Sequence, residues 1–563
     1  MMNKNQSVIR QYFLSPTIKR ALWQVMSLSF VINLLLLTSP LYMLQMYDRV
    51  LTSRSEETLI SLSAIALFLL MSFGFLEVLR AKIMVLVSTE VDDYFNNLIF
   101  KGLFREVLQQ GDGIGSQPIR DLESMRAMIA SHSLLAIFDL PWTPFFIALI
   151  FCMHPLLGVV ALCGGIATIV LTIISERTAR PLLTTASAHQ MAASRFVDSC
   201  LKNADVIHAL GMLEHIRERW LASYLKSVEA GAETAHTISG FSGTTKAFRM
   251  ILQSAMLGFG GWLALSGDVS AGVMVAASII LGRALAPLEQ VVAASKGFLA
   301  TWAAVKRLDL LLNKQMNVQQ PMSLPRPIGK LTVDDVTIIL PHSKKPLLQN
   351  ISFSLNAGEV LVIVGPSASG KSTLARALLG LIRPVKGTIR LDGAELAQWN
   401  MADLGAFIGF LPQDVELLAG TVKENIARFS EVDANAVVAA ANQANCHQMI
   451  LNLSEGYETR IGERNNQLSG GQSQRVALAR CLYGKPVLSI LDEPDANLDI
   501  EGMAALEQSI VQMKNNGSTV ILITHNVRLL RHADKAMLLA NGNIAFLGHP
   551  NELMDRLNPR KKA

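Results

Sequence analysis

From Ala21 to Tyr47 the chain carries no charged residue. A bilayer crossing needs about 20 apolar residues, so this run is long enough to span hydrocarbon, where every backbone polar group must be satisfied inside a helix. A cleaved secretory leader has a shorter apolar region that ends at a small-residue site, and Leu41-Tyr42-Met43-Leu44 offers none. A second uncharged run, Thr58 to Leu76, follows a polar hairpin containing Asp48, Arg49, Arg54, Glu56 and Glu57. From Leu140 to Ser175 only His154 can carry charge, and His154-Pro155 divides that stretch into two crossings because the residue before a proline is pushed out of the helical region. Met250 to Gly267 and Val269 to about Leu288, separated by Asp268, bring the crossings to six.

Between the apolar runs lie Glu77 to Asp139 and Glu176 to Arg249, helical in pattern but too charged to face lipid throughout. Segments 88–133 and 175–245 carry Lys101, Arg105, Arg120, Arg126, Arg177, Arg180, Arg195, Lys202, Arg217, Arg219 and Lys226, whereas the opposite loops carry only Arg49 and Arg54. The positive-inside rule puts both termini and both long helical loops in the cytoplasm. The formal net charge of +5 comes from basic residues that are spread along the chain, which reads as cytoplasmic loop charge and not as a nucleic-acid surface. Hydrophobic residues make up 50% and charged residues 17%, on the membrane side of a soluble composition. Cys152, Cys163, Cys200, Cys446 and Cys481 show no CxxC spacing, so neither a disulfide framework nor zinc is implied, and buried thiols are expected. Arg283 lies about 14 residues, or roughly 20 Å, into the last crossing. An arginine at that depth must face protein or water, so it either lines a polar central path or pairs with a neighbouring helix.

At 563 residues one core is not enough. Residues 1–312 read as the membrane domain, 313–330 as a linker containing Pro321, Pro325 and Pro327, and 331–563 as an α/β domain of short apolar strands alternating with helices. Strands are expected at Val360–Val364, Val487–Leu491 and Thr519–Ile523. The first is followed by Gly365-Pro366-Ser367-Ala368-Ser369-Gly370-Lys371-Ser372-Thr373 and a helical pattern from Leu374 to Leu381. A strand, a glycine-rich turn and a helix start with this lysine and hydroxyl form a phosphate-binding loop. Backbone N–H groups and the helix N-terminus face a triphosphate, Lys371 reaches its outer phosphates, and Ser372 places its hydroxyl on Mg²⁺. Gly365 and Gly370 are expected where a Cβ would block the approach of phosphates.

Val487-Leu488-Ser489-Ile490-Leu491 ends in Asp492-Glu493. Carboxylates at a strand's C-terminal end beside a phosphate loop suit Asp492 for Mg²⁺ and Glu493 for polarising an attacking water. Leu468-Ser469-Gly470-Gly471-Gln472 precedes the helical stretch Gln474–Leu482 and makes a second anion-binding turn. One phosphate chain does not need two such turns in one subunit, so the second is expected to close over the nucleotide of another copy, as a homodimer.

These residues, with Gln413 in Leu411-Pro412-Gln413-Asp414, Asn497-Leu498-Asp499 and His525 in Thr524-His525-Asn526, closely resemble the nucleotide-binding domain of ATP-binding-cassette transporters over about Leu331 to Leu557. The resemblance implies that Gln413 senses Mg²⁺, that His525 contacts the γ-phosphate, and that Asp499 lies at the dimer interface. Ile461-Gly462-Glu463-Arg464 is similar to the exporter segment that touches the coupling helices. The implied architecture is an all-α six-helix transmembrane domain of exporter type followed by a P-loop ATPase domain, with ATP and Mg²⁺.

The membrane half resembles a narrower group. Ser39-Pro40-Leu41-Tyr42-Met43-Leu44-Gln45-Met46-Tyr47-Asp48-Arg49-Val50-Leu51, Phe138-Asp139-Leu140-Pro141-Trp142-Thr143-Pro144 and Gly282-Arg283-Ala284-Leu285-Ala286-Pro287 are similar to the permease/ATPase subunit of type I secretion systems, in the protease, lipase and haemophore exporters. That resemblance implies a homodimer in the inner membrane of a Gram-negative cell, a periplasmic adaptor, an outer-membrane channel, and unfolded protein cargo with a C-terminal signal. Two stretches depart from the pattern. Leu340 in Thr337-Ile338-Ile339-Leu340-Pro341 stands where an aromatic residue would stack on adenine, and Arg464-Asn465-Asn466-Gln467 replaces a glycine-rich segment.

The leading expectation is therefore an ATP-driven protein exporter, with nucleotide-dependent coupling through the helical loops near Gln109 to Asp121 and Ala204 to Leu213. Export of lipid, drug or peptide keeps the same fold, although the roughly 20 residues before the first crossing leave no room for a leader-trimming protease domain. A nucleotide-gated regulator without turnover is the third reading, and an intact Glu493 and His525 argue against it.

Overall fold

The computed structural model describes residues 7–110, 116–316, 323–340, 343, 345–462, 468–496 and 498–557. Expectations that rest on 111–115, Pro321, Pro341, 463–467 and Asn497 lie outside that set. The chain divides into two compact units, one formed by Met1–Glu106 and Asp112–Asn317, the other by Val107–Gly111 and Val318–Ala563.

The first unit is helical, and among the described residues six segments are long and apolar enough to cross a membrane: Pro16–Ser53, Glu56–Leu108, His132–Met153, Pro155–Leu201, Leu213–Leu265 and Ala271–Ala293. The first is broken into Pro16–Leu35, Thr38–Gln45 and a π-helical turn at Met46–Val50. Pro40 has no amide hydrogen to donate to the Leu36 carbonyl, which places the break at Leu36-Leu37. The division at His154-Pro155 is present: His154 is extended, with φ −162° and ψ 134°, and a new helix starts at Pro155.

Much of each charged segment continues a crossing, although Gln117–Ile129 is a helix of its own. Glu56–Gln110 runs for 55 residues, Pro155–Leu201 for 47 and Leu213–Leu265 for 53. At 1.5 Å per residue the longest extends about 80 Å, well beyond a hydrocarbon core of about 30 Å. Between two of these rods lies the short helix Ala204–Ala209, with Val206, Leu210 and Leu213 exposed at and after it. The helix Ser295–Met316 continues through Asn313, where the linker is expected to begin. Its Arg307 grips the buried Asp121 with two hydrogen bonds, Nε to Oδ2 at 2.8 Å and Nη2 to Oδ1 at 2.7 Å.

Ala271–Ala293 is the most enclosed crossing. Thr143 donates to the Ala284 carbonyl at 2.9 Å, and the Asp48 carboxylate accepts from the Gly272 amide at 2.9 Å and from the Ser270 hydroxyl at 2.5 Å. Arg80, whose side chain is buried, joins three segments by donating to Glu77 and Asp139 at 2.8 Å each and to Ser29 at 2.9 Å, while Asn33 donates to Asp139 at 2.9 Å. Partners of this kind are what an arginine near hydrocarbon requires. The cysteines depart from expectation: Cys446 and Cys481 are buried, but Cys152 and Cys163 are exposed on their helices and Cys200 is half-buried.

The second unit is α/β. Its six-stranded sheet runs, edge to edge, Asn543–Gly548, Lys535–Ala540, Val360–Val364, Thr519–Ile523, Leu488–Asp492 and Ile408–Leu411, parallel except for the first pair. Val360–Val364, Leu488–Asp492 and Thr519–Ile523 are buried along their whole length, as near-continuous apolar runs covered on both faces must be. One of these strands sits a residue later than expected, so that Asp492 ends it instead of following it. A second, antiparallel sheet contains Leu331–Ile338, Leu348–Leu355, Lys386–Leu391 and Ala394–Glu395.

Candidate functional site

Parallel strands deliver their C-terminal ends to one edge of the sheet, and four adjacent strands each bring a predicted site residue there. Val360–Val364 leads into Gly365, Pro366, Ser367, Ala368, Ser369 and Gly370, and the helix Lys371–Leu378 begins at once. The helix therefore starts three residues earlier than the pattern from Leu374 suggests, which puts Lys371, Ser372 and Thr373 in its first turn. The amides of a first turn have no partner inside the helix. Ala368 and Gly370 have positive φ, +63° and +98°, the alternation that turns successive amides toward one point.

The two glycines serve the chain's own packing. A Cβ on Gly365 would lie 2.2 Å from the Leu539 carbonyl oxygen, and one on Gly370 would lie 2.7 Å from Leu348. These contacts are a second reason for glycine beside the expected approach of phosphate. Lys371 is buried, with Nζ donating to the carbonyls of Gly365 at 2.8 Å and Pro366 at 3.0 Å. Burial lowers its pKa, and the charges of Glu493 and Asp492 oppose that shift.

Asp492 is buried at the end of its strand, and its Oδ1 has no hydrogen-bond partner. Burial raises its pKa above the ordinary aspartate value, against a lowering by the Ser372 hydroxyl beside it. Glu493 follows with φ +48°, a left-handed conformation that is uncommon for a side chain of this size. It aims its carboxylate between two other predicted residues: Gln413 Nε2 donates to Oε2 at 2.9 Å, and His525 Nε2 lies 3.4 Å from Oε1. Two residues without an assigned role brace the same edge, as the Thr524 hydroxyl donates to Asp495 Oδ1 at 2.9 Å. Thr524 directly precedes His525, and Asp495 lies two residues after Glu493.

Leu468, Ser469, Gly470, Gly471 and Gln472 form a separate cluster. Ser469 caps the helix Gly470–Leu482: its Oγ accepts from the Gln472 amide, and the Gln472 side chain accepts from the Ser469 amide at 2.9 Å. Arg475 on this helix pairs with Asp499 at 2.8 Å, and Asp499 caps Ile500–Asn515 by accepting from the Gly502 amide at 2.7 Å. Among the described residues no hydrogen bond joins this cluster to Lys371, Gln413, Glu493 or His525. A Cβ on Gly470 would meet nothing within 4 Å, so the chain's own packing does not ask for glycine there. Leu340, at the position expected to hold adenine, is half-buried, and its carbonyl accepts from the Ser343 amide at 2.9 Å.

Comparison with known proteins agrees with this arrangement. The ABC transporter family matches residues 348–496, and the ABC transporter transmembrane region matches 22–285. The chain is 38% identical to the type I secretion system ATP-binding protein PrsD of Rhizobium meliloti (strain 1021), over 94% of this chain and 91% of that protein. It is 29% identical to the toxin RTX-III translocation ATP-binding protein of Actinobacillus pleuropneumoniae, over 94% of this chain and 75% of the other. In fold it is similar to a bacterial Atm1-family ABC exporter with ATP bound, with a TM-score of 0.81, 20% identity, and coverage of 97% of this chain and 99% of that one. A P-loop, two capped helices and paired carboxylates at the end of a parallel sheet, preceded by six crossings and matched over nearly the whole length by PrsD, make this chain a member of the ABC transporter family, among the type I secretion ATP-binding proteins.

Proposed function

We propose that the chain is the ATP-hydrolysing, membrane-spanning subunit of a type I secretion system, a homodimer that exports unfolded protein across the bacterial inner membrane with both termini in the cytoplasm. The observation that carries this reading is the 38% identity to a type I secretion ATP-binding protein along 94% of the chain. A periplasmic adaptor, an outer-membrane channel and a C-terminal signal on the cargo belong to the same reading.

The first-turn amides after Gly370 and the ammonium of Lys371 hold the β- and γ-phosphates of ATP. The carbonyls of Gly365 and Pro366 take two of the three ammonium hydrogens of Lys371, which leaves one for phosphate. The Glu493 carboxylate takes a proton from the attacking water, oriented by Gln413 on one oxygen and His525 on the other. The partnerless buried Oδ1 of Asp492 and the adjacent Ser372 hydroxyl fit a divalent cation of the hard, oxygen-binding kind. Oε1 of Gln413, which takes no part in the bond to Glu493, is a third ligand candidate. Bound Mg²⁺ supplies neutralisation of phosphate charge.

Gly470 opens onto free space beside a helix N-terminus, which supports a nucleotide arriving from a second copy. ATP then stabilises the closed dimer by bridging Lys371 of one chain and the Ser469 turn of the other, which ADP cannot do. Mixed dimers test this. A dimer of one Lys371→Ala chain with one Ser469→Arg chain retains one intact site and part of the activity, whereas the double variant paired with wild type retains none. Equal activity in the two mixtures would remove the shared site. In cells, Glu493→Gln is expected to retain at least one normally secreted protein inside, and an unchanged set of extracellular proteins would sink the export reading.

A further inference from the structure

The crossing helix Ala271–Ala293 presents one face to its neighbours, with Ala277, Leu281, Ala284 and Leu285 all at 0% exposure. On the opposite side Arg283 and Gln290 are exposed, with Ile279 and Ala286 half-buried on the same stripe. Arg283 lies about 18 Å from the start of the helix at Ala271, near the middle of a hydrocarbon core about 30 Å thick. No described side chain pairs with its guanidinium. The nearest carboxylate on its own helix, Glu289, is held by Arg249 at 2.6 Å.

Lipid is the wrong occupant for this face. A helix side that faces lipid is visible in Glu56–Leu108, whose apolar window has no buried residue and exposes Ile60, Leu67, Phe68, Met71 and Phe75. The stripe through Arg283 has no comparable run of large apolar side chains, and an unpaired arginine in hydrocarbon is costly. A second copy of this helix would bring a second arginine, a like charge that leaves the first unneutralised. Pro287 adds a further group, because it has no amide hydrogen to donate to the Arg283 carbonyl one turn back. A five-donor planar fork and a backbone acceptor released from the helix thus belong to one residue. That combination suits an extended polypeptide, whose carboxylates engage the fork in bidentate fashion while its N–H groups reach the carbonyl.

We propose that this face is a binding site for the exported polypeptide and that Arg283 recognises its carboxylate side chains. The inference rests on the protein-export reading above and adds a chemical class of cargo to it. The test uses the full chain in lipid nanodiscs, with a fluorescent peptide of repeated Glu-Gly-Ser triplets and its Gln-for-Glu twin. The acidic peptide is expected to bind more tightly. Arg283→Gln should weaken the acidic peptide about tenfold, the factor carried by one lost charge-assisted contact, and leave the neutral twin unchanged, with Arg283→Lys intermediate. A photoreactive benzoylphenylalanine in place of Ala286, in a chain that keeps Arg283, should form an adduct with the acidic peptide. Equal binding of the two peptides, binding indifferent to Arg283, or adducts only to lipid or to a second copy would each overturn the proposal and leave protein export standing. Absence of any peptide binding by a chain that hydrolyses ATP would also overturn the proposal, whereas the export reading falls only if secretion is unchanged in Glu493→Gln cells.

Discussion

Gln413 Nε2 donates to Glu493 Oε2 at 2.9 Å, so two residues 80 positions apart in sequence meet at one carboxylate. With His525 Nε2 at 3.4 Å from the other oxygen, Glu493 is oriented before any water arrives. Glu493→Gln keeps the shape and removes the base. It should lower phosphate release by about 10²–10⁴-fold while ATP binding persists. Phosphate release and binding of a fluorescent nucleotide, measured on one preparation, check this, and a variant that still turns over at the parent rate would remove Glu493 from the role of base.

Gly470→Ala separates folding from function. With nothing within 4 Å of the added Cβ, and alanine favoured over glycine in helices by roughly 1 kcal/mol, thermal stability should hold or rise slightly. ATPase activity should fall steeply if a partner's nucleotide must approach this turn. Tm and turnover are read together, and unchanged turnover would mean that the turn does not close on a phosphate.

Asp492 carries a prediction about pH. Burial raises its pKa in the folded chain above the ordinary aspartate value. The folded state therefore favours the protonated form, and the stability that this gives is present at acid pH and lost as pH rises through the folded pKa. At neutral pH the ionised side chain is a net cost. Asp492→Asn should raise the Tm of the ATPase unit at pH 7, at about 2–4 °C per kcal/mol for a domain of this size, and the gain should shrink toward acid pH. The same variant should lose hydrolysis. A Tm that fell at neutral pH would contradict the assigned sign.

Gly272 tests the contact that secures the last crossing. A Cβ there would lie 2.6 Å from the Asp48 carboxylate, which accepts the Gly272 amide hydrogen. Gly272→Ala should cost about 1–3 kcal/mol through overpacking, and less in an Asp48→Ala background. Denaturation of the four proteins of this cycle in detergent gives the coupling, and strictly additive effects would mean that the two groups do not meet.

The sequence alone determined the class of architecture, because its controlling constraints are local. A bilayer demands about 20 apolar residues in a row, and the absence of charge between Ala21 and Tyr47 is visible without any fold. A phosphate loop is a contiguous strand, turn and helix start, so Gly365 to Thr373 could be read directly. Tertiary structure decided what depends on contacts between distant parts of the chain. Helical periodicity in a charged stretch says nothing about whether it continues the preceding crossing, and only packing made Glu56–Gln110 one rod. Arg80 takes its partners from Ser29, Glu77 and Asp139, Arg475 meets Asp499, and Gly365 is a glycine because the Leu539 carbonyl passes beside it. No local pattern encodes such meetings, since each needs separate strands or helices to be brought side by side before the groups are within bonding distance.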